Sequence, residues 1–291
     1  MLLEAGACAA GFARACPVSD QARDLYDEWI AKGCHGAMSY LDRYHDVRCD
    51  PRLLMPDAST VIVAAFNYTP LRVQPSGVPR IAAYALGRDY HEVVRERLEA
   101  AAAGIRDVYG GVTRVCVDTA PIRERYWAVR AGVGFIGVNN QLIVPGVGSM
   151  CFLGEIIWSV EVDPDEPSAG SCDGCLRCVA ECPGGAIAPD GSFDARKCHS
   201  YLTIEYRGEL PDDLRLGDRV YGCDVCQSVC PHNIGAPATS IAEFHAKDEI
   251  MCLDAEKLRQ MAPEEFSRIF RHSAVKRTRL SGLQRNLTHL G

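Results

Sequence analysis

Cys172-Asp173-Gly174-Cys175-Leu176-Arg177-Cys178-Val179-Ala180-Glu181-Cys182-Pro183 places three thiols at intervals of two residues, a fourth after three more, and a proline directly behind it. The arrangement returns one cysteine shorter in Cys223-Asp224-Val225-Cys226-Gln227-Ser228-Val229-Cys230-Pro231, and Cys198 lies between the two runs. The spacing C-x2-C-x2-C-x3-C-P is an iron–sulfur spacing, and the eight thiols together are what two [4Fe-4S] cubanes require. Paired C-x2-C units also build zinc sites, but zinc knuckles rarely use the full run. Three close thiolates wrap one face of a cubane, and the proline turns the next ligand away toward the other cluster. One cluster is therefore expected on Cys172, Cys175, Cys178 and Cys230. The other is expected on Cys182, Cys198, Cys223 and Cys226.

The surrounding chain is ordinary globular sequence. Of its 291 residues, 47% are apolar and 24% charged, enough for a sizeable core. No apolar run is long enough to span a bilayer, and Met1–Ala5 carries an early acid and no basic leader, so a cytoplasmic protein away from the membrane is expected. A net charge of −7 argues against binding nucleic acid with the whole surface. Fifteen cysteines without a secretory leader point to metal ligation rather than disulfides. The seven outside the motifs, Cys8, Cys16, Cys34, Cys49, Cys116, Cys151 and Cys252, read as small buried hydrophobes.

Ahead of the cysteine motifs, strands and helices alternate. Thr60–Tyr68 is a continuous apolar run rich in β-branched residues, the signature of a strand buried on both faces. Strands are also expected at 114–118, 141–144 and 150–158, and helices at 20–45, 89–107 and 124–131. The pattern predicts an α/β (α+β) domain over residues 1–162. Asp163–Ala169 reads as a linker into a ferredoxin-like two-cluster module at 163–240, followed by a short helical basic tail at 241–291. A cluster module fused to a larger domain delivers electrons to something in that domain. Gly132–Gly137 fits G-x-G-x-x-G but follows a helix rather than a strand, so it lacks a dinucleotide-site context.

Several segments, in order along nearly the whole chain, resemble the epoxyqueuosine reductase family. They are Gly11–Arg14, Asp50–Leu54, Ala83–His91, Val117–Pro121 with Glu124-Arg125, Ala131–Gly137, Phe152–Glu155, Ser200–Glu205 and Tyr221–Gln227. The resemblance implies a cobalamin-binding first domain, related in architecture to reductive dehalogenases, fed by the two clusters. It implies reduction of the epoxide of epoxyqueuosine to an alkene at the wobble position of tRNA. The family's proton donor is the aspartate of V-D-[ST]-A-P, here Asp118, and to donate at neutral pH it is expected to have its pKa raised by burial beside the corrin. Arg52, Tyr84, Asp89, Tyr90, His91, Asp118, Leu142, Leu153 and Ser200 are implied around the cofactor. Asp118 could equally cap the helix after Pro121, Arg52 pair with Asp50, and Asp89 cap the helix behind it. Val138 stands where the family commonly has a basic residue, and the helical repeat domain of longer members is not found. Arg268, Arg271, Lys276, Arg277, Arg279 and Arg285, with no acid among them, offer a phosphate-binding stretch in its place. The implied partners are the anticodon loop of tRNA and a low-potential electron donor, with the protein a monomer. The competing readings are a cobalamin reductase of a small molecule and a plain electron carrier.

Overall fold

A computed structural model describes residues 1–291. As far as Trp158 the chain runs β1 (Ala9–Arg14), α1 (Asp20–Ala31), α2 (His45–Cys49), β2 (Thr60–Asn67), β3 (Arg80–Ile81), α3 (Tyr90–Tyr109), β4 (Thr113–Cys116), α4 (Glu124–Arg130), β5 (Phe135–Ile136), β6 (Leu142–Ile143) and β7 (Cys151–Trp158). The main sheet has the order β1-β2-β7-β4, and every neighbouring pair is antiparallel. The alternation of strands and helices in the sequence therefore folds as α+β, without parallel crossovers.

All eight residues of β2 are buried because both faces of the sheet are covered. Ile62, Ala64 and Phe66 pack with Val93, Val94, Leu98 and Ala102 of α3. Val61, Val63 and Ala65 pack with Trp127 and Ala128 of α4. Helix α3 starts where Asp89 accepts the His91 amide, and it stops at Gly110, whose φ is +72°. Gly154, midway along β7, lets α3 approach: a Cβ there would lie 2.5 Å from Leu98 Cδ1.

Beyond residue 158 the elements are short: α5 (Arg177–Ala180), α6 (His199–Ile204), β8 (Arg219–Tyr221), α7 (Val225–Ser228), α8 (Asp248–Met251), α9 (Ala255–Gln260), α10 (Pro263–Ile269) and α11 (Arg279–Leu287). Strand β8 pairs in parallel with β3. A second core joins Ile81, Ala85 and Leu86 to Ile204, Val220, Tyr221 and the tail residues Ile250, Phe270, Val275 and Leu283. No helix is long and apolar enough to cross a membrane. Of the seven remaining cysteines, Cys49 and Cys116 are buried and four are partly so, but Cys252 is exposed, contrary to expectation. It sits at the open C-terminal end of the four-residue α8.

Glu155 of β7 lies opposite Val63 on β2 and Cys116 on β4. It is fully buried, and neither carboxyl oxygen has a hydrogen-bond partner. Burial, then the charges of Glu124 and Asp118, push its pKa well above the ordinary carboxylate value. The folded chain thus holds a proton here that the unfolded chain releases above about pH 4.5, so stability falls as pH rises through the window above that value. Urea melts at a series of pH values should show wild type losing up to about 1.4 kcal/mol per pH unit relative to Glu155→Gln across that window. Parallel curves for the two proteins would mean that Glu155 is ionised in the fold.

Candidate active site and cluster sites

Asp118 follows β4 in a tight turn and holds φ at +48°, the left-handed region. Two contacts fix it there. Its backbone N–H donates to Glu124 Oε1 at 2.7 Å, and its carboxylate Oδ2 lies 2.7 Å from His91 Nε2. The other imidazole nitrogen, His91 Nδ1, lies 2.7 Å from Asp89 Oδ1, so one ring is held between two carboxylates. Burial disfavours the imidazolium, but the hydrogen bonds it donates to Asp118 and Asp89 outweigh it and raise the His91 pKa to about 9. Asp89 is raised by burial and lowered more strongly by its two bonds from His91, and ends below the usual carboxylate range. Burial pushes Glu124 up to about 7, with the Asp118 charge adding to it. Asp118 itself is open in the protein alone, its side chain 47% exposed. The raised His91 pKa keeps the imidazole protonated at neutral pH.

Aromatic packing sets the imidazole. Tyr90 stacks on His91 at 4.1 Å and on Phe152 at 4.3 Å. Behind it Tyr84 donates its hydroxyl to Tyr221 at 3.0 Å. On the open side, Tyr40 feels the charges of Glu205, Arg277 and Asp118. The Arg277 guanidinium lies 5.7 Å from the centre of its ring.

Strand register places a shelf beside Asp118. Leu153 of β7 pairs with Ala65 of β2, which pairs with Ala9 of β1, and Cys116 pairs with Glu155, which brings Asp118 to the level of Leu153. Small or short apolar side chains line this end of the sheet: Cys8, Ala9, Ala120, Val147, Cys151 and Leu153 are only partly covered, next to buried Leu142. A flat, largely apolar macrocycle fits such a surface, and the residues present are compatible with a corrin there.

The motif cysteines fall into two groups. Cys172, Cys175, Cys178 and Cys230 line one hollow with Val138 and Ile143. The Cys226 thiol is raised by burial and then by Cys223, Cys198 and Cys182, which marks the second group as neighbours. Thiols set around a hollow suit a cluster. Backbone amides also point at sulfur: Val138 N–H lies 3.4 Å from Cys172 Sγ, and Ala186 N–H lies 3.3 Å from Cys182 Sγ. Gly137 makes room, since a Cβ there would lie 2.7 Å from Ile143 Cδ1 and 3.4 Å from Cys172 Sγ. The glycines of 132–137 thus serve close packing, and Val138 lines the first cysteine group.

The structure brings Asp89, Tyr90, His91 and Asp118 together, with Tyr84 one layer behind. Arg52 is turned into a bidentate pair with Asp50 at 2.7 and 2.9 Å, and Ser200 lies on α6 just after Cys198. The tail is less free than its sequence implies. Arg268 pairs with Glu249 at 2.6 Å and Arg277 with Glu205 at 2.8 Å. Arg285 donates to the carbonyls of Leu202, Tyr206 and Gly208. Only Arg271, Lys276 and Arg279 stand exposed without a carboxylate in reach. Glu124 as a backbone acceptor, Glu155 and Tyr40 are not legible as site residues in the sequence. The nearest signal was the adjacency of Glu124 to the V-D-T-A-P segment.

Comparison with known proteins agrees on one family. The description "Epoxyqueuosine reductase QueG, DUF1730" matches residues 48–119, and "4Fe-4S double cluster binding domain" matches residues 171–233. The epoxyqueuosine reductase of Cyclobacterium marinum is 39% identical over 95% of this chain and 90% of its own. The structure of epoxyqueuosine reductase from Streptococcus thermophilus superposes with a TM-score of 0.90 at 28% identity, over 99% of this chain and 78% of that one. An epoxyqueuosine reductase crystallised with a tRNA-Tyr epoxyqueuosine-modified stem loop has a TM-score of 0.86 at 30% identity, over 98% and 77% of the two chains.

Replacing Cys230 by alanine should cut iron from about eight to about four atoms per chain, measured by iron analysis and by the loss of one of two cluster signals on reduction. Cys252→Ala should leave both intact. Unchanged iron in the Cys230 variant would remove it from the ligand set.

Proposed function

The chain belongs to the epoxyqueuosine reductase family, and from that premise we propose that this oxidoreductase removes the epoxide oxygen of epoxyqueuosine in the anticodon loop of tRNA, leaving queuosine and water. The observation that carries the site assignment is the Asp118–His91 contact at 2.7 Å, open to solvent beside the apolar shelf. Leu142, Leu153 and Asp118 would hold cobalamin on that shelf, where it would supply the low-potential two-electron reduction with the two clusters as its electron supply. The chain's own residues do the rest.

As a C–O bond of the epoxide opens, negative charge develops on oxygen and a proton must meet it. Asp118 presents a carboxyl group at that point. Its left-handed backbone aims it outward, and Glu124 and His91 keep it there, so little reorganisation is left for the reaction itself. Tyr90, wedged between Phe152 and His91, fixes the imidazole plane. The two cysteine groups lie in the segment that packs against the first domain through Gly137 and Asn139, whose amide donates to the Cys226 carbonyl at 3.3 Å. That contact supports a short path between clusters and shelf.

The rim supports an RNA substrate. Tyr40 is 41% exposed beside the Arg277 guanidinium, a pairing of aromatic and cation on which single-stranded bases stack. Arg271, Lys276 and Arg279 leave three cations for backbone phosphates in an otherwise acidic protein. A small-molecule reductase would have no use for this rim.

Asp118→Asn should keep iron, corrin and RNA binding but lower turnover of epoxyqueuosine-containing tRNA by at least about 10²-fold, read by product analysis with a strong reductant. Full activity in that variant would remove Asp118 from proton transfer. Changing Arg271, Lys276 and Arg279 together to alanine should weaken binding of an anticodon stem-loop and flatten its log–log salt slope by roughly 0.7–0.9 per lost contact. An unchanged slope would place the phosphates elsewhere.

A further inference from the structure

Removing an epoxide oxygen as water consumes two electrons and two protons, while a single aspartate carries one proton at a time. We propose that His91 is the proton reservoir of the reaction, passing protons through Asp118 to the departing oxygen, with Asp89 holding the ring so that its Nε2 faces Asp118. This rests on the epoxide-reducing reading of the site.

The balance runs through named atoms. As the first C–O bond breaks, the His91 Nε2 proton passes to Asp118 Oδ2 and on to the oxygen, which becomes a hydroxyl. The imidazole is left neutral, with its remaining proton on Nδ1 toward Asp89 Oδ1, 2.7 Å away. His91 is 31% exposed, so solvent recharges Nε2. As the second C–O bond breaks, the next proton follows the same route and the oxygen leaves as water. The two electrons come from the reductant of the established reaction.

The geometry favours this over a purely structural histidine. A helix cap needs only the Asp89 carboxylate on the His91 amide, and that bond is already present at 3.0 Å. The side chain instead spans from Asp89 to Asp118, 27 residues further on, with Tyr90 stacked on its face. The charged groups around it are Asp89 and Asp118 in the ring plane, Glu124 beyond Asp118, and His272, paired with Glu92, beyond Asp89. The raised His91 pKa agrees with an imidazolium at rest.

The test is a pH–rate profile of the enzyme loaded with clusters and cobalamin, on epoxyqueuosine-containing stem-loop. Wild type should lose kcat on an alkaline limb centred near pH 9. His91→Gln should lose about 10²-fold in kcat and the limb with it, while iron, corrin and stem-loop binding stay at wild-type levels. Asp89→Asn keeps a helix cap and the imidazole, and should move the limb to lower pH. That variant decides the matter if His91→Gln fails to load its cofactors. A His91→Gln enzyme with wild-type kcat and the same limb would overturn the proposal, as would an unmoved limb in Asp89→Asn. If wild type leaves the epoxide untouched, the substrate reading falls and His91 with it.

Discussion

The register of β7 between β2 and β4 is the constraint on which the rest of the molecule depends. Pairing Cys116 with Glu155 brings the chain after β4 out at the level of Leu153, where the neighbouring strands present Ala65 and Ala9. A slip by one residue would turn every side chain of a strand to the opposite face. It would put Phe152 on the shelf and withdraw the ring against which Tyr90 stacks. Helix α3 depends on the same register, because Gly154 is the one position on β7 where its Leu98 can approach so closely. With α3 in place, its first turn delivers His91 to Asp118.

What the sequence made legible follows physical range. Three ligands of one cubane and two of the other lie within a few residues of one another, so the cysteine spacing could be read directly. The Asp89 cap is equally local. The bond from His91 to Asp118 joins a helix to a strand end, and no local pattern encodes it. The sheet's antiparallel order is also a tertiary property: β1, β2, β7 and β4 could have alternated with the same helices in a parallel arrangement. The tail shows the limit most clearly. Its cations have no acids nearby in sequence, yet Glu205 reaches Arg277 from 72 residues away, and Arg285 satisfies carbonyls at the end of α6.

Two features near the site carry a cost in stability and lie close together. Glu155 has no partner for either oxygen, and Asp118 adopts a backbone conformation that a non-glycine residue avoids. Both border Glu124. Strain and unsatisfied polarity gathered at one end of an otherwise apolar sheet are what a site built for reactivity leaves behind, and the well-packed β2 core is the framework that tolerates them.

Helix α11 has a bearing on how the protein comes into being. Asn286 is wholly buried and donates to the carbonyls of Thr203 and Val220, while Arg285 closes the end of the helix that opens directly after Cys198. The ribosome makes these two residues well after all eight cysteines have emerged. The nascent chain therefore presents its thiols before α11 can clasp the segments that follow Cys198 and precede Cys223.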